Sequence, residues 1–520
     1  MEGSLYKGFK LISLNLSGVK MFGDIEFNFV DSFDKQDKIY TTVIIGPNGT
    51  RKSLLFNLII FIFNSIYNLK SGKLIKYEEY SKYSSGFYQI KYSLNNSVYQ
   101  FERNSISLTK GEKFGYSCSI DGERVDIEQF HLPLAIIANS ISIRDKFPFI
   151  NRSDFPLYSY LGVKSSPQTA STQAYLRKIV DFVAEHSVNG AFINGLKMIA
   201  EKFIGEGKSI CLTYRTSQHK KFFSKSSTFD RLEKYFLDIE ERFQKSGKRP
   251  PNKLANFNKL KQDKVVIEEL IEFCKSLDSK NFVFQGKGQS NRTVKFNLSD
   301  KEGLSNLKSY NEKIKQLYSI GLLTDIKIEF HDILYGNYNL EESSSGEYNL
   351  ITSFIGFMAT IKKDSLLLID EPEISLHPNW QMKFISFFKE IFSHPEYINC
   401  HVIIASHSHF IVSDMEMESS KLIGLSKTNN LEVVSFEKQL DTFGWSAEEV
   451  LLKIFNVTTS RNYYVAEKLG LLLDFIADEN SNKDSIRAKF YELELNKITG
   501  LTDEDPLKTV FDKIITEYVS

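Results

Sequence analysis

Cysteine is scarce in this chain of 520 residues, with four in all: Cys118, Cys211, Cys274 and Cys400. They are scattered, with none of the spacings that a metal site or a redox pair needs, which suits a reducing cytosol. Net charge is also missing. The 65 Lys and Arg balance the 65 Asp and Glu, so the chain is no wholesale polycation, and any contact with nucleic acid must come from a local patch. Met1-Glu2-Gly3-Ser4 carries no signal-peptide pattern. The most apolar window, Leu54 to Leu69, is broken by Asn57 and Asn64 and falls short of a bilayer span. The expectation is a soluble cytoplasmic protein without membrane contact. What is present suits a packed core: 42% apolar and 25% charged residues, over a length with room for about two to four domain-sized units.

The richest stretch runs from Ser365 to Phe410. Leu366-Leu367-Leu368-Ile369 is too short for a helix and too continuous for a half-exposed strand, so it reads as a strand buried on both faces of a parallel sheet. It ends in Asp370-Glu371, two carboxylates at the strand mouth where open α/β sheets bind ligands. An amphipathic segment with Trp380, Phe384, Phe387, Phe388 and Ile391 follows. A second apolar strand, His401 to Ala405, then runs into Ser406-His407-Ser408-His409. In this arrangement Asp370 would hold Mg²⁺ through a nucleotide or its waters, Glu371 would take the proton of an attacking water, and His407 would reach the γ-phosphate. ABC-type ATPases are equipped in this way. The plainer alternative is two core strands with surface acids.

A third buried strand, Ile39 to Ile45, delivers Gly46-Pro47-Asn48-Gly49-Thr50-Arg51-Lys52-Ser53 just before an apolar helix. Strand, Gly-rich turn, Lys-Ser and helix is the context of a phosphate loop. Backbone N–H groups cradle the phosphates, Lys52 bridges the β- and γ-phosphates, and the Ser53 hydroxyl ligates Mg²⁺. One position departs from the pattern, since Arg51 stands where a glycine usually precedes the lysine. In right-handed backbone it could point outward and meet a phosphate or a facing subunit; in a glycine-only conformation nucleotide binding would be impaired.

Ahead of that loop, Ile12, Leu14 and Leu16 alternate with polar residues, as do Ile25, Phe27 and Phe29, predicting a strand pair. After it, Tyr88 to Leu94, Asn95-Asn96-Ser97, then Tyr99 and Phe101 predict a hairpin within an antiparallel layer. Leu134 to Ala138 reads as another buried strand. The loop after it usually senses Mg²⁺ and γ-phosphate through a Gln; here Asn139 or Ser140 would have to serve, or the segment is an ordinary strand-end turn. From Ser165 to Ser319 helices are expected at 174–186, 191–204, 229–243 and 265–277. Between the last two lies a run of Lys245, Lys248, Arg249, Lys253, Lys259, Lys261 and Lys264 against Asp263 alone. It is either a track for nucleic-acid phosphates or a solvated Lys-rich loop. The heptads of a long coiled-coil arm are absent.

Ile326, Ile328 and Phe330 read as a resumption of the sheet. Glu341-Glu342-Ser343-Ser344-Ser345-Gly346-Glu347 then precedes an apolar helix. Small residues at a helix N-terminus suit a γ-phosphate, so Ser344, Ser345, Gly346 and Glu347 are candidate nucleotide contacts. One subunit of this fold cannot bring both Gly46–Ser53 and this segment onto one nucleotide. A head-to-tail pair, or a higher homo-oligomer, sandwiching two ATPs is the expectation.

The motif set from Gly46 to Asp414 resembles the ABC-type ATPases related to DNA-repair and SMC proteins. The fold expected is α/β: an ABC-type ATPase head, with a P-loop NTPase core sheet plus an antiparallel β layer, a helical insertion and a helical C-terminal region. The expected boundaries are 1–164 for the first head lobe, 165–320 for the mainly helical insertion, 321–440 for the second lobe and 441–520 for the C-terminal helices. More narrowly, the chain resembles the PtuA-like ATPases of Septu anti-phage defence. The residues carrying that likeness are Arg144-Asp145-Lys146-Phe147, Tyr160-Leu161-Gly162-Val163, Ala405 to Phe410, Val412-Ser413-Asp414 and the block Asp441 to Asn462. The resemblance implies a sensor or scaffold ATPase that holds a PtuB-like HNH nuclease. In retron versions a reverse transcriptase and its DNA–RNA product join the assembly. Arg51, and Ser345 in place of a signature glycine, depart from the general pattern and argue against rapid hydrolysis. Two other readings share the head. An OLD-type ATPase-nuclease would need a Toprim domain, yet after Asn462 the one tight acidic cluster is Asp503-Glu504-Asp505. A repair ATPase acting directly on DNA would lack the Septu-like tail.

Overall fold

The computed structural model describes residues 8–19, 21–31, 39–73, 86–103, 115–142, 144–166, 169–186, 190–203, 205, 208–217, 222–223, 225–280, 282–284, 292–332, 336–395, 397–413, 415–427, 433–438, 449–450, 463–477, 482–498 and 506–519. They form two compact units, Met1–Phe443 and Gly444–Ser520.

The larger unit opens with β1 (Lys10–Val19) and β2 (Gly23–Asn28), an antiparallel pair with Leu14 opposite Phe27 and Leu16 opposite Ile25. Alternation puts these four into the core. A register shift between Leu11 and Ser13 breaks the period, so Leu11, and not Ile12, is fully buried. β3 (Tyr40–Ile45) is buried along its whole length and α1 (Lys52–Lys70) follows it. β4 (Phe87–Leu94), β5 (Ser97–Arg103), β6 (Tyr116–Ile120) and β7 (Glu123–Arg124) complete a six-stranded antiparallel sheet in the order β2-β1-β4-β5-β6-β7. The β4–β5 turn has φ of 52° at Asn95 and 64° at Asn96, the paired left-handed residues of a tight hairpin turn that Asn tolerates. β8 (Ile136–Ser140) and β9 (Tyr158–Gly162) pair in parallel.

The small hairpin of β10 (Lys164–Ser166) and β11 (Thr169–Ala170) leads to α2 (Thr172–His186) and α3 (Gly190–Phe203). After β12 (Ser209–Thr216) come α4 (Phe229–Ser246), α5 (Asn252–Leu260) and α6 (Lys264–Lys280). Then follow β13 (Phe282–Phe284), β14 (Arg292–Asn297), α7 (Lys301–Ser319), β15 (Leu323–Asp332) and β16 (Gly336–Asn339). The insertion expected to be mainly helical therefore also holds strands, arranged as a five-stranded sheet, β13-β14-β12-β15-β16. Ile326, Ile328 and Phe330 lie on β15 of this sheet, so they do not resume the parallel core. Sequence period identifies a strand but not its partners, and β15 pairs with β12 more than a hundred residues earlier.

α8 (Ser345–Thr360) returns the chain to the core. β17 (Leu366–Asp370), the short helices α9 (Pro378–Met382) and α10 (Phe384–Ile391), β18 (His401–Ser406), α11 (His409–Val412), β19 (Ser420–Lys427) and β20 (Val433–Lys438) follow. The seven-stranded core sheet runs β20-β19-β3-β18-β17-β8-β9, parallel except for β20. Helix α1 is apolar nearly all round and by length and composition alone could cross a membrane, more than the broken apolar window suggested. Its Phe56, Ile59, Ile60 and Phe63 share one core with Leu14, Phe27 and Tyr92 of the antiparallel layer and Leu366, Ile403 and Ala405 of the parallel sheet. A helix packed between two layers is apolar over most of its circumference, and each fully buried apolar side chain contributes about 1.5–3 kcal/mol. A parallel P-loop sheet joined through α1 to an antiparallel layer is the ABC-type ATPase head.

A buried histidine stitches the two sheets. His401 Nδ1 accepts from the backbone N–H of Leu11 at 3.0 Å, and its Nε2 lies 2.8 Å from Thr42 Oγ1. The Thr42 hydroxyl donates to the Phe29 carbonyl at 2.6 Å. Thr42 can therefore only accept from His401, and the imidazole is neutral with its proton on Nε2.

The smaller unit contains α12 (Tyr463–Ala477), α13 (Lys483–Glu492) and α14 (Pro506–Ile514). Leu469, Leu472, Ile486, Phe490, Phe511 and Ile514 form its core. Asp414, most of the block from Asp441 to Asn462, and Asp503-Glu504-Asp505 lie outside the described residues.

Candidate nucleotide site

Three neighbouring strands converge at their C-terminal ends: β3 bears Gly46 to Ser53, β18 bears His407, and β17 bears Asp370 and Glu371. The phosphate loop is pinned from within, since the Thr50 hydroxyl donates to the Pro47 carbonyl at 2.9 Å, while Pro47, Asn48 and Gly49 stay exposed. Gly46 has no room for a side chain, because a Cβ there would come within 2.5 Å of the Leu425 carbonyl oxygen. Arg51 sits at the N-cap of α1 with φ 69° and ψ 23°. This is left-handed backbone, the branch of the sequence expectation that favours glycine. Arginine can adopt it at a cost of about 1–2 kcal/mol.

The lysine and serine that follow point into the site. Lys52 Nζ donates to the Gly46 carbonyl at 2.7 Å and lies 2.9 Å from His407 Nε2. Burial lowers its pKa to about 8, against the pull of Glu371, Asp370 and Glu373. The Ser53 hydroxyl donates to Asp370 Oδ1 at 3.0 Å. Burial pushes Asp370 up to about 7. A hydroxyl and a buried carboxylate side by side are the hard oxygen donors that suit Mg²⁺, which keeps waters and phosphate oxygens for its other positions. The residues present fit that ion. Glu371 Oε1 is 3.5 Å from His407 Nε2, and hydrogen bonding to His407 lowers its pKa despite burial. A carboxylate kept ionised can accept a proton from water. Glu371 is itself left-handed, with φ 52°, a strained backbone of the kind found at active sites.

Some positions read from sequence are engaged elsewhere. Asn139 Nδ2 donates to the Leu161 carbonyl at 2.6 Å and lies near Ser353 Oγ at 3.4 Å, buried between β8, β9 and α8. It packs in the core as a strand-end residue. Ser344 and Glu347 form a reciprocal capping box at the start of α8. Gly346 is buried, and a Cβ there would meet the Ser375 carbonyl oxygen at 2.3 Å. Ser344 and Ser345 are exposed. Helix α8 packs on α2, α3, β8 and β9, at the edge of the sheet away from β3. No hydrogen bond among the described residues joins Ser343–Glu347 to the phosphate loop. At about 4.8 Å per strand, β8 lies some 14 Å from β3.

Two groups escaped the sequence reading. Glu373 Oε1 accepts from the His407 backbone N–H at 2.6 Å and, being buried, has a raised pKa. Gln381 donates to the Leu376 carbonyl at 2.8 Å and accepts from the Ser408 hydroxyl at 2.6 Å. Both side chains tie the turn after β17 to the turn after β18, orienting His407 from behind. An acid two residues past Glu371 was the available signal for the first; nothing local marked the second.

Residues 198–413 match a family model described as an AAA domain of the AbiEii-toxin, type IV TA-system kind. Septu protein PtuA of Bacillus thuringiensis is 26% identical over 133 residues, which is 25% of this chain and 32% of PtuA. The match thus spans about a third of that relative's length. Among solved structures, the Smc head domain of Pyrococcus furiosus, bound there to the C-terminal domain of ScpA, has 14% identity and a TM-score of 0.32, covering 82% of this chain and 96% of that one. The recombination mediator RecF has 14% identity and a TM-score of 0.30, covering 83% and 99%. At these scores the likeness adds nothing to what the strand order itself shows. With its P-loop strand, acidic strand and histidine strand side by side, the chain has an ABC-type ATPase head and, over a quarter of its length, resembles Septu protein PtuA.

Proposed function

We propose that this chain binds ATP with Mg²⁺, hydrolyses it slowly, and serves as the sensor or scaffold subunit of an anti-phage defence complex that holds an HNH endonuclease inactive. The observation that carries the reading is the convergence of Lys52, Ser53, Asp370, Glu371 and His407 at three adjacent strand ends. Lys52 and the loop N–H groups would bind the phosphates. Ser53 and Asp370 would hold Mg²⁺, which neutralises phosphate charge when bound. Glu371 would accept the proton of the attacking water, and His407 would pass from Lys52 to the γ-phosphate. The exposed Ser344-Ser345 at the start of α8, remote from the loop of its own chain, would complete the site of a second copy in a head-to-tail pair. The strain at Arg51 and the capping role of Ser344 favour slow turnover. The reading places the protein in the cytoplasm.

The nuclease partner is inferred from the PtuA likeness; where a retron is encoded alongside, its reverse transcriptase and DNA–RNA product would join. ATP-bound heads would hold the partner, and nucleotide loss or an infection signal would change head spacing and free it. The test mixes plasmid DNA and Mg²⁺ with the purified chain, alone or with a separately encoded HNH protein. Cleavage is expected only in the mixture. Cleavage by the purified chain alone, abolished on changing Asp503 and Asp505, would replace this reading with that of a nuclease fusion.

A further inference from the structure

We infer that the α4–α5–α6 edge of the insertion is a nucleic-acid phosphate track. The run from Lys245 to Lys264 carries seven cations against one acid, Asp263. That acid is spent: its carboxylate accepts the backbone N–H groups of Val265 and Val266 at 3.1 and 3.3 Å, capping α6. Lys245 pairs with Glu241, and Lys261 pairs with Glu233 at 3.7 Å. Among the described residues Lys248, Arg249, Lys253, Lys259 and Lys264 make no ion pair, and Lys248, Arg249, Lys259 and Lys264 are exposed.

The scaffold beneath them is firm. Helix α4 stops at Gly247, left-handed at φ 63°, and the Ser246 hydroxyl accepts from Lys248 N. Pro250-Pro251 bars any continuation of the helix. Helix α5 is clamped by Phe257, stacked on Phe236 of α4 at 4.1 Å, and by Asn256, which donates to the Ser319 carbonyl at 2.9 Å. The Lys261–Glu233 pair places the α5–α6 turn beside the start of α4, whereas Lys248 and Arg249 lie just past its end. The exposed cations therefore form two groups at opposite ends of α4, Lys259 and Lys264 by its start and Lys248 and Arg249 past its end; the fourteen residues from Glu233 to Ser246 between them span about 20 Å. Successive phosphates of one strand lie about 6–7 Å apart along the backbone, so such a track meets about three or four of them. On a chain of zero net charge, this strip is a local polyanion site, and it does not depend on the nucleotide reading.

The test uses the full chain and a fluorescein-labelled DNA duplex of arbitrary sequence, titrated by anisotropy over a series of salt concentrations. The variant K248Q/R249Q/K259Q/K264Q changes exposed side chains only. The control variant K197Q/K301Q/K308Q/K383Q removes the same charge from exposed positions elsewhere. The first variant is expected to flatten the slope of log K against log salt by about 3 to 4 and to weaken binding at least tenfold; the control is expected to leave the slope unchanged. Absence of duplex binding by the unaltered protein at low salt, equal slopes in all three proteins, or equal losses in both variants would overturn the proposal. Binding to anionic phospholipid vesicles but not to the duplex would overturn it too. Thermal melting of each variant separates a lost contact from a lost fold.

Discussion

Lys52 Nζ lies 2.9 Å from His407 Nε2, and that same nitrogen lies 3.5 Å from Glu371 Oε1. Three groups from three adjacent strands thus form one chain of contacts at the mouth of the sheet. A phosphate entering the loop would compete with His407 for Lys52, so phosphate binding and the position of the histidine would be coupled through one ammonium group. This geometry separates the roles of the lysine and the glutamate.

Lys52→Ala is expected to weaken ATP binding at least a hundredfold, because it removes the buried cation of the loop. Glu371→Gln is expected to retain binding and to reduce hydrolysis by about 10²–10⁴, the usual worth of a general base. Nucleotide titration and phosphate release measured on both proteins check this. An equal loss of ATP affinity in the two would remove Glu371 from the role of base.

The proposed composite site is best probed at Ser345, which is exposed. Gly346 is unsuitable, since any side chain there collides with the Ser375 backbone and would move α8 itself. Ser345→Arg is expected to abolish ATP-dependent pairing of heads while leaving the melting temperature of the single chain within about a degree or two, as surface substitutions do. Light scattering with ATP checks the pairing. If Ser345→Arg weakens ATP binding equally in unpaired chains, the site lies within one subunit.

Arg51 holds left-handed backbone at φ 69°. Arg51→Gly removes a strain of about 1–2 kcal/mol but gains disorder in the unfolded chain of about 0.5–1 kcal/mol. The net expectation is a stabilisation of up to about 1.5 kcal/mol. Arg51→Ala, with the same backbone penalty, is expected to give none. Chemical denaturation of the three proteins distinguishes them, and equal midpoints would show that any strain in the loop does not exceed the entropic cost of the glycine.

Stability is expected to fall in mild acid because of His401. Burial, reinforced by Lys10, holds its pKa well below the usual 6.5, so below that pH the unfolded chain takes up a proton that the folded chain refuses. Stability is present above about pH 6.5 and is lost as pH falls, by about 1.4 kcal/mol per pH unit, until the folded pKa is reached. His401→Gln is expected to lower stability at neutral pH and to flatten this slope. Denaturation midpoints across the mildly acid range check both effects.

Local pattern was enough for the strands that carry the candidate nucleotide motifs. The apolar runs before Gly46, Asp370 and His407 read as buried strands, and the Asn95-Asn96 turn carries its own backbone preference. Those signals are short-range, a matter of which residue types tolerate burial or positive φ. Tertiary structure alone decided what lies beside what. It assigned β15 to a second sheet, because strand partners are chosen by packing across long separations and not by period. It turned Asn139 into the core and brought Glu373 and Gln381 behind His407, through hydrogen bonds no spacing reveals. It also showed Arg51 left-handed and Gly346 walled in by Ser375, since steric room at a residue depends on backbone that arrives from elsewhere in the chain.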